Sequence, residues 1–139
     1  MRDPFDACEK VTEDIQQGLT SYKCSPSQKV DQATWIVGFD LGQWDVPYSR
    51  FAVYGGRELK TVDRPFASLT TCRRVCTFHQ VSSIKIPFDV LFSPEALANG
   101  LVVKAFGGPR DVFLKLSAER IRAFRSGLER AGFVPDGHQ

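Results

Sequence analysis

The chain is poor in the groups that enzymes use most. Of its 139 residues only two are histidines, His79 and His138, and one is methionine. It holds no G-x-S-x-G elbow, no phosphate-cradling P-loop and no H-E-x-x-H pair, so none of the nucleophile, nucleotide or metalloprotease signatures is present. No apolar run approaches the roughly 20 residues that cross a bilayer as a helix. The opening Met1-Arg2-Asp3-Pro4 has neither the basic region nor the apolar region of a secretory leader. Long stretches that are both polar and highly charged are missing too, which argues against disorder. The net charge is only +2, too little to argue for a nucleic-acid partner.

What the chain does have is material for one core. Hydrophobic residues make up 42% of it and aromatic residues 12%. A chain of this length buries about two-thirds of its unfolded surface on folding. The expectation is a single domain over residues 1–139, with residues 134–139 as a frayed tail. Charge is uneven: residues 1–31 carry four basic and six acidic side chains, and residues 101–139 carry seven and four. Two solvated faces account for that asymmetry.

Cysteine is scarce but even in number: Cys8, Cys24, Cys72 and Cys76. Pairs close in sequence suggest the bridges Cys8–Cys24 and Cys72–Cys76, although four cysteines allow three connectivities. If residues 72–76 ran as one strand, the Cα atoms of Cys72 and Cys76 would stand about 13 Å apart. A disulfide needs about 4.4–6.8 Å. A Cys72–Cys76 bridge therefore demands a turn that displays Arg73 and Arg74. The competing reading is a structural zinc site using Cys72, Cys76 and His79, but its spacing lacks the second matched ligand pair of known sites. Disulfides imply an oxidising compartment, periplasmic or extracellular, and hence a leader removed before residue 1. Reduced thiols would imply the cytoplasm.

Patterning along the chain predicts α+β: an antiparallel sheet of five or six strands, two hairpins among them, with an N-terminal and a C-terminal helix packed on it. The first helix is read from Asp3 as N-cap, Pro4 at the first position, Phe5, Cys8, Ile15 and Leu19 at helical spacing, and Gly18 as the stop. A strand follows, with Trp35, Val37, Phe39 and Leu41 on one face. Gly55-Gly56 predicts a two-residue turn with both φ positive. A short strand is expected over residues 66–70, and Phe78, Ile84, Ile86 and Phe88 share one parity in the next. Ser93-Pro94-Glu95 opens a short helix that stops at Gly100. Gly107-Gly108 joins two further strands as a turn, since it precedes Pro109 rather than a helix N-terminus. Ser117 caps the last helix, with Ile121, Phe124 and Leu128 as its apolar stripe and Gly132 beyond its end.

Candidate functional residues are few. Trp44 and Tyr48 in one loop, and Arg73 and Arg74 in another, are the residue types that anchor interfaces. Trp44 serves either as such an anchor or as a plug for the end of the sheet. Asp40 and Asp45 read as turn formers rather than an acid–base pair. Arg120, Arg122, Arg125 and Arg130 do not align on one helix face and make a poor nucleic-acid stripe. Residues 72–128 resemble small secreted bacterial proteins of the invasion-associated-locus-B type. The shared cadence is close cysteines, a strand ending Ile86-Pro87, a short helix, Gly100-Leu101-Val102-Val103-Lys104, a hairpin and a last element opening Leu116-Ser117. The cysteine spacing and the long last helix depart from that pattern, and no site residue is carried over. The functional expectation is a non-enzymatic binding protein of the bacterial periplasm or exterior, with a protein partner, no nucleic acid, no metal and no cofactor. The alternative is a small hydrolase or transferase using His79 with a nearby carboxylate.

Overall fold

The computed structural model describes residues 9–14, 16–23, 30–42, 44–61, 69–72, 74 and 76–133. In chain order they form β1 (Glu9–Asp14), β2 (Leu19–Lys23), β3 (Gln32–Gly42), β4 (Arg50–Val53), β5 (Glu58–Thr61), β6 (Leu69–Cys72) and β7 (Cys76–Pro87). Then come α1 (Phe88–Leu91), α2 (Pro94–Asn99), β8 (Leu101–Phe106), β9 (Val112–Leu116) and α3 (Ala118–Arg130). The α+β class stands, but the layout differs from the expectation: nine strands are described, not five or six, and Glu9–Asp14 and Leu19–Lys23 are strands rather than parts of a helix.

At the start of the chain a hairpin stands in place of the expected helix. Glu9–Asp14 and Leu19–Lys23 pair antiparallel, Glu9 opposite Lys23 and Asp14 opposite Leu19. The connecting turn is built by Asp14, whose Oδ1 accepts the Gln17 N–H at 3.3 Å, and by Gly18 at φ 70°. A left-handed glycine ends a helix and closes a hairpin equally well, so Gly18 does not discriminate between them. The β-branched Val11 and Thr12 suit a strand, and the pairing of β2 with β3 decides the outcome. Residues 1–8, which include the expected cap, lie outside the described residues.

The molecule divides into two compact units. The first holds residues 1–35, 86–101 and 116–139. Its strand order is β1-β2-β3, with Leu19 opposite Trp35. The Trp35 indole N–H donates to the Gln17 carbonyl at 2.8 Å, tying the hairpin turn to β3. Ser93 caps α2 by accepting the Ala96 N–H, and Ser117 caps α3 by accepting the Arg120 N–H. Both caps are where the sequence puts them. As expected, Ile121, Phe124 and Leu128 are the buried stripe of α3. The helix lies against α2 and β1; a Cβ on Gly127 would come within 2.5 Å of Thr12 Oγ1, which sets how near helix and strand approach. Phe92, between α1 and α2, bridges Phe88 and Phe124 with ring centroids 5.0 and 6.5 Å away.

The second unit holds residues 36–85 and 102–115. Its strands run in the order β3-β7-β5-β4-β8-β9, with β6 also on β7. β3 alternates as expected: Val37, Phe39 and Leu41 are buried, while Ile36, Gly38 and Asp40 face out. β4 lies antiparallel to both β5 and β8, placing Phe51 against Leu59 and Ala105. The β4–β5 turn differs from the expected one: Gly55 alone has positive φ, and the Val53 N–H reaches the Arg57 carbonyl at 3.0 Å, a longer connection. The expected strand over residues 66–70 begins at Leu69; residues 62–68 lie outside the described residues.

Candidate functional site

Two features of the second unit carry chemistry, and each is assembled by β3 and β7 (or the loop that follows β3). The first is the loop after β3. Asp45 Oδ2 accepts the Gly42 N–H at 2.6 Å, and the Asp45 N–H donates to the Gly42 carbonyl at 3.1 Å. This reciprocal pair fixes a turn, the role the sequence assigns to Asp45. On it stands Trp44, 87% exposed, followed by Val46, 63% exposed. Tryptophan is on average a highly buried residue, so the turn presents a large apolar ring to solvent rather than plugging the sheet.

Tyr48, proposed alongside Trp44, is placed differently. It is 5% exposed, and its ring packs on Phe39 with centroids 4.6 Å apart. Its hydroxyl donates to the Arg110 carbonyl at 3.0 Å. The Tyr48 N–H donates to Gln80 Oε1 at 2.8 Å, and Gln80 Nε2 donates to the Tyr48 carbonyl at 2.7 Å. A side-chain amide thus pairs with the main chain as a neighbouring strand would. Tyr48 anchors the loop, and Trp44 is what the loop displays. Sequence reasoning missed Gln80; its only signal is a long polar side chain on the inward parity of β7.

The second feature is an imidazole–carboxylate pair. His79 Nδ1 lies 2.9 Å from Asp40 Oδ1. The ring is seated over Gly38, where a Cβ would stand 3.0 Å from Nε2 and 3.1 Å from Cε1. Both side chains are accessible, His79 at 44% and Asp40 at 92%. The Asp40 contact orients the ring through Nδ1, and Nε2 is the nitrogen that lies over Gly38. Of the two aspartates read as turn formers, Asp45 makes the turn, whereas Asp40 lies within β3 and meets His79.

The expected pairing of Cys72 with Cys76 is present. Cys72 on β6 stands directly opposite Cys76 on β7. The two are joined as a disulfide, with Cα atoms 4.0 Å apart. Bonded to each other, these sulfurs are not the thiolates a zinc site requires. Arg74 is exposed in the turn; Arg73, Cys8 and Cys24 lie outside the described residues. Among the described residues there is no group of three or more His, Cys, Asp or Glu side chains placed to hold a metal ion, and no helix is long and apolar enough to cross a membrane.

A third surface has no counterpart in the sequence reading. The outward side of β4, β8 and β9 carries alternating rings and cations. Lys104 Nζ lies 4.8 Å from the Phe106 centroid and 5.9 Å from that of Phe113. Arg50 lies 5.6 Å from Phe106. Phe113 and Tyr54 meet edge to face at 5.5 Å. Arg50 is held by Glu58, at 3.1 Å, and hydrogen bonding to that carboxylate raises its pKa above the ordinary guanidinium value. Strand parity was the available signal: Lys104 and Phe106 alternate with the buried Val103 and Ala105.

Comparison with protein-family models, with curated proteins and with solved structures finds no match for this chain. The likeness of residues 72–128 to the invasion-associated-locus-B type therefore brings no family assignment.

Proposed function

We propose that this chain is a non-enzymatic binding protein of the bacterial periplasm or exterior, and that it holds a protein partner through the loop bearing Trp44. The observation that carries this reading is the 87% exposure of Trp44 on a turn fixed by Asp45. A large amphipathic ring held out on an ordered loop contributes much contact area for little lost entropy on binding. The Cys72–Cys76 bridge supports the compartment, since such bonds persist where the surroundings are oxidising. Trp35 is 4% exposed, so a Trp35→Phe variant reports on Trp44 alone. Its fluorescence should shift to the blue when a partner drawn from envelope extract binds. Capture of that partner should fall by about tenfold or more in Trp44→Ala, as at an interface hot spot worth more than about 1.4 kcal/mol. Equal capture by Trp44→Ala, with no spectral shift, overturns the reading.

A second reading is supported by the pair His79–Asp40, in which a carboxylate lies within hydrogen-bond reach of the imidazole at 2.9 Å. It makes His79 a general base in a small hydrolase or transferase. Hydrolysis of an activated ester such as p-nitrophenyl acetate, lost in His79→Gln and reduced in Asp40→Asn, supports it. Turnover no faster than buffer ends it.

A further inference from the structure

We propose that β9 is a homotypic sheet edge, through which two copies of this chain pair antiparallel about Leu114. β9 is the last strand in its order, and among the described residues it pairs only with β8. Its sequence, Val112-Phe113-Leu114-Lys115-Leu116, is β-prone and contains no proline, and no shift of register is needed to add a strand to it. Natural sheets protect such edges with charge, proline, bulges or covering elements. Here the one charged side chain is Lys115. The inference concerns a surface separate from the Trp44 loop and does not depend on it.

The strand complements itself in one orientation only. An antiparallel partner centred on Leu114 places Phe113 of one copy opposite Lys115 of the other, twice by symmetry, and Val112 opposite Leu116. Phe113 is 47% exposed and Lys115 is exposed, so both are available on the same side of the strand. Directly opposed side chains in a sheet come within about 4.5–5.5 Å, close enough for an ammonium to lie on a ring. A parallel, in-register partner would instead set Lys115 against Lys115, which repels. The same face already uses this contact: Lys104 sits against Phe106 and Phe113, and Arg50 against Phe106. Tyr54, edge-on to Phe113 with planes at 77°, holds the ring that the second copy would meet. A second copy therefore continues the alternation of cation and ring across the joint.

Sedimentation velocity of the full chain, from micromolar to near-millimolar concentration, tests this. The expected result is a concentration-dependent shift toward twice the chain mass of 15.5 kDa. Phe113→Lys should leave the protein monomeric throughout, because it sets lysine against lysine. Combining Phe113→Lys with Lys115→Glu should restore the dimer, since opposite charges then face each other twice. That restoration also shows that loss of Phe113 does not prevent folding. A wild-type chain that stays monomeric over the whole range overturns the proposal, including one that binds some other extended peptide at this edge. So does a dimer indifferent to Phe113→Lys, or a double variant that fails to reassociate.

Discussion

Replacing Gln80 by leucine should loosen the loop that presents Trp44 without touching the loop itself. The Gln80 amide accepts from the Tyr48 N–H at 2.8 Å and donates to the Tyr48 carbonyl at 2.7 Å and to Ser82 Oγ at 2.9 Å. Leucine has similar length and none of these groups, so the N–H and carbonyl of Tyr48 lose their partner beside a buried ring. An unsatisfied buried donor or acceptor costs about 1–3 kcal/mol. Gln80 is itself half-buried, so water reaches part of the site and the lower end of the range applies to each group. The net loss is then about 2–3 kcal/mol. For 139 residues, an unfolding entropy of about 2.1 cal/mol/K per residue near 60 °C converts this to a melting point lower by about 7–10 °C. Thermal unfolding followed by circular dichroism measures the shift, and hydrogen exchange at the Tyr48 amide reads the cause. A melting point within about 2 °C of wild type, with the Tyr48 amide still protected, would show that the Gln80 clamp contributes nothing and refute the reasoning.

Three further outcomes follow from the packing. Gly108→Ala places a Cβ on the Tyr48 ring and should cost about 1–3 kcal/mol, the usual penalty for overpacking; a neutral effect on the melt would mean that the β8–β9 loop can yield. Phe124→Ala removes a ring that is 3% exposed beside Phe92 and should cost about 3–5 kcal/mol, whereas an unchanged melt would place α3 outside the core. Reducing Cys72–Cys76 should add two hydrogens to the intact mass, detected as two extra alkylation sites after denaturation; replacing both by serine should cost about 2 kcal/mol in the chain-entropy treatment of so short a loop. Alkylation of both cysteines without reductant would remove the argument for an oxidising compartment.

Elements whose cause is local could be read from the chain. The alternation of Trp35, Val37, Phe39 and Leu41 marks β3 because a half-buried strand has period two. Ser93 and Ser117 mark helix starts because a hydroxyl satisfies an N–H that the first turn leaves open. The turn between Cys72 and Cys76 follows from the reach of a disulfide once those two are paired, and the pairing itself was one of three open to four cysteines. Residues 9–23 defeated the same reasoning, since apolar residues at helical spacing and a closing glycine fit a helix and a hairpin alike, and pairing with β3 decides between them. The candidate sites were legible only in part. Trp44 stands out as a residue type, but its exposure depends on the turn that Asp45 makes. Tyr48 meets Gln80 across 32 positions, and Asp40 meets His79 across 39. No periodicity or spacing encodes such meetings: they exist because particular strands become neighbours, and strand order is settled by the burial of the whole set of apolar faces rather than by any one segment.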